Sequence, residues 1–362
     1  WIDTNFANPV LRENDSKMTS KTVLLKGTQQ DGFIAALLQR LWAAPNASIP
    51  HTPVAGSPST AAAASFRANI SEYENMKQLC FTAFDHGITH FDLANNYGPN
   101  PGSAERNLGR ILREELGAYR DELVISTKAG YEMWDGPYGN WGSRKHILAS
   151  LDQSLQRMGL PYVDIFYHHR MDSNAPLEET MSALAQAVAE GKALYVGLSN
   201  YDGRALEKAC KILNELRCPF IINQNRYSIF DRTIEQNGLK ESAARLQKGI
   251  IAFSPLAQGM LTDRYLHGIP EDSRIKTDGR FLHAEDLTEK RLHQIHALNE
   301  LAVNRGQTLA EMALSWVLRD GIVTSVLIGA SKPSQILDHI TAMENTAFSK
   351  EEQVKIDQIT KM

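Results

Sequence analysis

Asp92 lies in the apolar run ITHFDLA, and Tyr97 follows five residues later beside Gly98. A strand buried for stability alone has no use for an acid and a phenol at that spacing. Two further apolar runs carry ionisable groups near their ends: Lys128 in ELVISTKAG, and His168 and His169 in YVDIFYHH. A carboxylate, a phenol, an ammonium and an imidazole brought together make an acid–base system. A free phenol keeps its proton up to a pH of about 10. A nearby ammonium stabilises the phenolate and lowers that value, and a carboxylate keeps the ammonium charged and oriented. The outcome is a proton donor suited to an oxygen on which negative charge is building. Taken singly, each residue has a plainer reading: Asp92 as a cap or ion-pair partner, Tyr97 as turn packing, Lys128 as a solvated strand end. Adjacent histidines on a strand point to opposite faces, so only one of the two can join a common site. They form no H-E-x-x-H pattern and rarely share an ion, so no metal is expected.

Such distant residues need a scaffold that brings many strand ends to one level. From Ser71 onward, short β-rich runs alternate with helix-like stretches. The runs just given are followed by ALYVGLSN, PFIINQNRYS, GIIAFSPLA and VTSVLIGAS. Between the runs, stretches such as SAERNLGRILREEL, SRKHILASLDQSLQRM and LEETMSALAQAVAEGK place apolar residues near i, i+3, i+4 and i+7, which predicts helices with one buried face. Gly87, Gly159 and Gly191 fit helix C-terminal caps. Strand–helix alternation implies parallel strands with right-handed crossovers. Seven runs plus one in the irregular N-terminal region predict a (β/α)8 TIM barrel over residues 71–362. Residues 1–70 form an atypical segment in which KTVLLK reads as a strand and GFIAALLQRLW as a helix. An open doubly wound sheet is the alternative, but G-x-G-x-x-G occurs nowhere. In a barrel the chemistry sits at the C-terminal strand ends. There the runs offer Asp92, Lys128, His168 or His169, Ser199 with Asn200, Gln224, Phe253 with Ser254, and Ser331 with Lys332.

A formal net charge of −4 argues against a nucleic-acid surface. Three cysteines, none in C-x-x-C, suit reduced thiols and a cytoplasmic location. No apolar run of 18 residues predicts a membrane span. Phe33–Pro45 has a signal-like look, but Gln39 and Arg40 break its apolar part.

The motifs FDLANNYGPNPGSAERNLGRIL, ISTKAGYEMW, VDIFYHHRMD, YVGLSN, NQNRYS, AFSPLAQGML and VTSVLIGAS, in that order, resemble those of the aldo-keto reductases, over roughly Ser71–Thr360. The branch most similar contains bacterial L-glyceraldehyde 3-phosphate reductases and the β subunits of voltage-gated potassium channels. The resemblance implies the (β/α)8 barrel and NADPH-dependent reduction of small aldehydes or ketones. It places a catalytic tetrad on Asp92, Tyr97, Lys128 and His169, with Tyr97 as general acid. It implies that Ser199, Asn200 and Gln224 hold the nicotinamide carboxamide and that Phe253 stacks on the ring. The turn Ser254, Pro255, Leu256, Gln258 and Gly259 would approach the pyrophosphate. Arg264 and Arg274 would reach a 2′-phosphate. Gly329, Ser331, Gln335, Asp338 and His339 would line the remaining cofactor site, although His339 departs from the amide usual there. The leading Gly–Leu–Gly–x–Trp type segment of the family is not found in residues 1–66.

Two tryptophans, two tyrosines and several glycines crowd Gly130–His146, which reads as a pocket wall or lid. Trp134, Tyr138 and Trp141 are its candidate substrate contacts. Arg170 could attract a phosphorylated aldehyde. An NADP(H)-sensing regulatory subunit like the channel β subunits, and an aldolase with Lys128 as Schiff-base amine, are the rival readings. A homo-oligomer is expected by analogy with relatives.

Overall fold

The computed structural model describes residues 23–26, 34–36, 72–98, 100–271, 273–277 and 282–361. Seven strands run parallel in chain order: β3 (His90–Asp92), β4 (Val124–Ala129), β5 (Val163–His168), β6 (Ala193–Ser199), β7 (Phe220–Arg226), β8 (Gly249–Phe253) and β9 (Ser325–Ile328). Each comes from one of the seven apolar runs. Helices alternate with them: α1 (Glu72–Asp85), α2 (Ser103–Ile111), α3 (Arg144–Met158), α4 (Leu177–Ala189), α5 (Gly203–Glu215), the short α6 (Thr233–Gln236) and α7 (Leu239–Arg245), α8 (Arg274–Thr277), α9 (Glu289–Asn304), α10 (Leu309–Leu318), α11 (Pro333–Thr341) and α12 (Lys350–Lys361).

Two short strands, β1 (Val23–Lys26) and β2 (Ile34–Ala36), link the ends of this sheet. β1 lies parallel to β9 and antiparallel to β2, and β2 lies antiparallel to β3. The expected strand in KTVLLK is present. The helix expected in GFIAALLQRLW is corrected: its residues Ile34–Ala36 are extended, because the free edges of β1 and β3 offer backbone hydrogen bonds that outweigh local helix preference. The remainder of that stretch, like the rest of residues 1–66, lies outside the described residues.

The alternation of side chains along each strand divides the core. Most of the buried apolar residues pack outward between sheet and helices, among them Phe91, Ile125, Phe166, Val196 and Leu198. A second cluster, Ile165, Tyr167, Ile222, Ile251 and Leu327, fills the concave side. Gly197 makes room for it, since a Cβ there would stand 2.3 Å from the Tyr167 ring. Helix ends follow their local chemistry. Ser143 caps α3 by accepting from the His146 amide (3.3 Å), and Gly159 closes it at φ 67°. Thr308 and Glu311 form a capping box on α10.

Among the buried histidines, His90, His168 and His339 are those most strongly shifted. Burial lowers them from the ordinary imidazole value to about 4, about 3 and about 4 respectively. They are therefore neutral in the fold, whereas the unfolded chain protonates them below a pH of about 6.5. Their contribution is fully present above pH 6.5 and fades as pH falls from there toward 4. By pH 5.5 the loss should reach roughly 1 kcal/mol for each histidine. Urea unfolding at pH 7.5 and 5.5 should thus show a lower midpoint at 5.5; equal midpoints would contradict the buried neutral state.

Candidate active site

Strand register builds the centre of the site. Asp92 is the Cα partner of Ser126, and Lys128 stands two residues further along β4 on the same face. All three are buried. The Asp92 carboxylate accepts from Lys128 Nζ, from Ser126 Oγ, and from Gln224 Nε2 at 3.2 Å. Lys128 Nζ also donates to the Leu93 carbonyl (2.8 Å), and His90 Nε2 meets Ser126 Oγ at 2.9 Å. Burial lowers the Lys128 ammonium from its ordinary value, opposed by the Asp92 charge and hydrogen bond. Glu105, buried behind β4, adds a further negative potential. It accepts from Thr127 Oγ1 (2.6 Å) and Arg157 Nε (2.6 Å).

Lys128 Nζ lies 5.2 Å from the centroid of the Tyr97 ring and 5.4 Å from that of Tyr167. The expectation that the ammonium lowers the Tyr97 phenol is corrected. Its pKa is raised well above the ordinary 10 by desolvation, then by Asp92 and Tyr131. The physical reason is that the Lys128 charge is already matched by Asp92 and the Leu93 carbonyl. Within the desolvated pocket the Asp92 charge raises the phenol further, and it keeps its proton.

Of the two adjacent histidines, His169 is the one on the cavity wall. Its ring stands edge-on to Tyr97 (5.8 Å between centroids, 81°) and to Tyr131 (4.6 Å, 84°). His168 turns the other way and meets the Tyr201 hydroxyl through Nδ1 at 2.8 Å. The cavity measures about 710 Å³. Besides Tyr97 and His169, its wall includes Ser199, Asn200, Gln224, Phe253, Ser254 and Gln258. Asp92 and Lys128 lie behind this wall and reach it through Gln224. Asn200 holds φ 59° and donates to the His169 carbonyl (3.0 Å) and to Ser199 Oγ (3.2 Å). Left-handed backbone at a non-glycine residue persists only where neighbours impose it, and such positions cluster at functional sites.

The segment 254–259 repeats that signature, with Ser254, Ala257 and Gln258 all at positive φ. Successive amides turned this way form an anion-binding concavity. Gln258 Nε2 reaches Ser254 Oγ at 3.3 Å, and Leu256 packs on the core. Pro255 and Gly259 complete the turn off the cavity wall. Arg264 lies in the following 3₁₀ turn, Asp263–Tyr265. Arg274 begins α8, and its side chain falls outside the described residues. Gly329 follows β9. At the start of α11, Gln335 Oε1 accepts from the Ser331 amide (2.8 Å), the Ser331 hydroxyl (3.2 Å) and the Lys332 amide (3.3 Å). Asp338 on that helix is exposed and His339 is buried, which weighs against the adenine contact expected of His339.

The loop between β4 and α3 is fastened at several points. His146 Nδ1 meets the Tyr138 carbonyl at 3.0 Å, and its ring lies 5.0 Å from that of Trp134. Gly142 donates to Asp172 (3.0 Å) and accepts from Thr180 (2.7 Å). Tyr138 and Trp141 are exposed, and Arg170 is stacked against the loop. Of this loop, expected as a pocket wall or lid, Tyr131 lines the cavity, whereas Trp134, Tyr138, Trp141 and Arg170 are not among its lining residues. Several wall residues are absent from the sequence-based reading: Asn96, Tyr131, Met171, Tyr201, Asn225 and Arg226. Asn96 and Tyr131 lie within the quoted motifs FDLANNYGPNPGSAERNLGRIL and ISTKAGYEMW and could have been found there. Met171 and Arg226 carry no signal of type or spacing.

Residues 63–361 match the profile of the Aldo/keto reductase family. Proteins named L-glyceraldehyde 3-phosphate reductase from Escherichia coli O157:H7 and from strain K12 are each 55% identical over 293 residues, 80% of this chain and 85% of theirs. A protein named putative voltage-gated potassium channel subunit beta from Schizosaccharomyces pombe is 35% identical over 282 residues, 75% of this chain and 80% of its own.

Proposed function

Because the chain belongs to the aldo/keto reductase family, we propose that it is an NADPH-dependent reductase of small aldehydes and ketones, with glyceraldehyde 3-phosphate or methylglyoxal as candidate substrates. The observation that carries this reading is the buried Lys128–Asp92 pair set behind Tyr97, with His169 edge-on to Tyr97 on the cavity wall. The donor set suits the cofactor. Ser199, Asn200 and Gln224 offer a hydroxyl and two amides to a carboxamide, Phe253 offers a ring, and the 254–259 turn offers amides to phosphate. When bound, NADPH supplies the hydride that reduces the carbonyl carbon.

The residues of the chain then manage charge and position. Negative charge builds on the carbonyl oxygen, and the protonated Tyr97 hydroxyl gives it a proton. Lys128, held by Asp92, is the cation closest behind that phenol and receives the phenolate that remains. His169 orients the carbonyl. Trp134, Tyr138 and Trp141, beyond Tyr131 on the same loop, are assigned to the approach of the aldehyde, with Arg170 stacked on Trp141. Arg264, Arg274, Gly329, Ser331, Gln335 and Asp338 are assigned to the adenosine end, with His339 packed beneath. One charged contact to a 2′-phosphate contributes about 1.5–3 kcal/mol, so NADPH should exceed NADH by roughly tenfold or more in kcat/KM. Equal values would overturn the NADP preference.

The decisive assay is NADPH oxidation with methylglyoxal, glyceraldehyde and glyceraldehyde 3-phosphate. The likeness to a protein named for a channel β subunit favours, second, a regulatory chain that senses NADP(H). Tight NADPH binding with no turnover on any of the three would support it. We further propose that the seven parallel strands belong to the eight-stranded barrel of the family, spanning residues 71–362 after an atypical segment 1–70, in a cytoplasmic homo-oligomer. Buried free thiols at Cys80, Cys210 and Cys218 agree with a reducing compartment. Among the described residues no helix is long and apolar enough to cross a membrane.

A further inference from the structure

Arg170 follows His169 directly, and the loop between β4 and α3 engages most of its guanidinium. The guanidinium carbon lies 3.5 Å from the centroid of the Trp141 ring and 4.1 Å from that of Tyr131. Nε donates to the Gly130 carbonyl (3.0 Å) and Nη2 to Asn140 Oδ1 (2.9 Å). The same Asn140 oxygen accepts from the Trp141 amide (2.8 Å), and Trp141 holds φ 70°, a conformation a non-glycine residue keeps only under constraint. At the near end of the loop, a Cβ on Gly130 would stand 3.2 Å from His169 Cβ. The chain therefore passes hard against His169, and Tyr131, the next residue, sets its ring edge-on to the His169 ring at 4.6 Å.

We propose that Arg170 is a positioning residue rather than a substrate contact: it clamps this loop so that Tyr131 fixes His169 and shapes the aldehyde side of the cavity. The inference rests on the reductase reading of the site. Shape explains the residue type. A planar guanidinium stacks on aromatic rings with its faces while its edge donates in the plane, whereas a lysine ammonium is a compact, hydrated point charge that cannot offer two faces and a donating edge at once. A clamp and an anion receptor thus make opposite forecasts. A receptor tolerates Arg170→Lys and matters only for a charged aldehyde. A clamp fails with Lys as with Met, and fails for every aldehyde.

The test uses the full chain with NADPH, methylglyoxal as the neutral substrate and glyceraldehyde 3-phosphate as the anionic one. Arg170→Lys and Arg170→Met should each lower kcat/KM by roughly 10²-fold, the scale of a 1 Å misplacement, and by a similar factor for both aldehydes. The NADPH Kd, read by fluorescence titration, should stay within twofold of wild type. Tyr131→Leu should reproduce the loss, and the double variant Arg170→Met/Tyr131→Leu should be little worse than either alone, because both act through one contact. A loss confined to glyceraldehyde 3-phosphate and restored by Lys overturns the proposal. So do additive losses in the double variant, and so does a parallel collapse of NADPH binding, which would place Arg170 in the fold at large. Should Arg170→Met fail to fold, Arg170→Lys and Tyr131→Leu carry the comparison. A wild type that reduces neither aldehyde overturns the reading of the site, and this inference with it.

Discussion

Tyr97→Phe should lower kcat for aldehyde reduction by roughly 10²–10⁴-fold, the usual worth of a positioned general acid, while the NADPH Kd stays near wild type. Phenylalanine keeps the ring that packs beside His169 and beneath which Lys128 lies, and it removes only the hydroxyl. The loss therefore reports the proton and not the packing. The raised phenol adds a second, sharper forecast. A donor whose pKa is pushed well above 10 by desolvation and by Asp92 holds its proton throughout the neutral range. The rate of reduction in the wild type should then stay flat from pH 6 to pH 9. A phenol lowered toward neutrality by Lys128 would instead make the rate fall as pH rises through 7 to 8. Stopped-flow or steady-state reduction of methylglyoxal across that range separates the two. Full activity in Tyr97→Phe would remove Tyr97 from the acid role, and an alkaline fall near pH 7.5 would show that the Lys128 charge reaches the phenol undiminished.

The order of elements was legible because buried parallel strands and one-sided helices leave different periods in the chain. Every apolar run from ITHFDLA to VTSVLIGAS is a strand, and residues at or near the ends of β5 to β8, His169, Ser199, Asn200, Gln224, Phe253 and Ser254 among them, share one cavity wall. What a sequence hides is the surroundings of a charge. Lys128 at a strand end reads as solvated, yet it is fully buried, because the β4 register sets it beside Asp92 and Tyr167. The same pairing reverses the forecast for Tyr97: an ammonium lowers a phenol only if its charge is not already met. Arg170 misleads for a related reason. As a letter it is a cation fit for phosphate, but its faces and edge are occupied by residues 130–141, and nothing in the spacing of Gly130, Asn140 and Trp141 reveals that they converge on one side chain. Ile34–Ala36 shows the opposite limit, where three residues of a helix-like stretch are drawn into strand pairing by edges that come from elsewhere in the chain.

Asp92→Asn should destabilise the fold in a way that depends on pH, and the direction identifies the buried pair. With the carboxylate charge gone, Lys128 stays fully buried with only neutral acceptors, the Leu93 carbonyl and the amide oxygen of the new side chain. Its pKa, already lowered by burial in the presence of Asp92, must fall further. A lysine with a depressed folded value binds more protons when the chain unfolds, so the stability of the variant is lowest at acidic and neutral pH. It recovers as pH rises toward the ordinary lysine value of about 10.4. Removing one member of a buried pair generally costs about 3–5 kcal/mol, and a loss on that scale is expected at pH 6, with clear relief by pH 9. Lys128→Met, which strands the carboxylate instead, should be destabilised on the same scale but without relief at high pH. The double variant Asp92→Asn/Lys128→Met leaves no buried charge at the pair and should regain most of the stability while remaining inactive. That separation is the point of the experiment. An ion pair sealed in a protein interior is a poor source of stability, and replacing it by neutral groups is often harmless to the fold. If the double variant is stable and cannot reduce aldehydes, the pair exists for the proton transfer at Tyr97. Urea unfolding at pH 6 and pH 9, with kcat on methylglyoxal, decides it: a double variant that keeps its activity, or an Asp92→Asn protein equally stable at both pH values, would show that Lys128 does not sit charged behind the phenol.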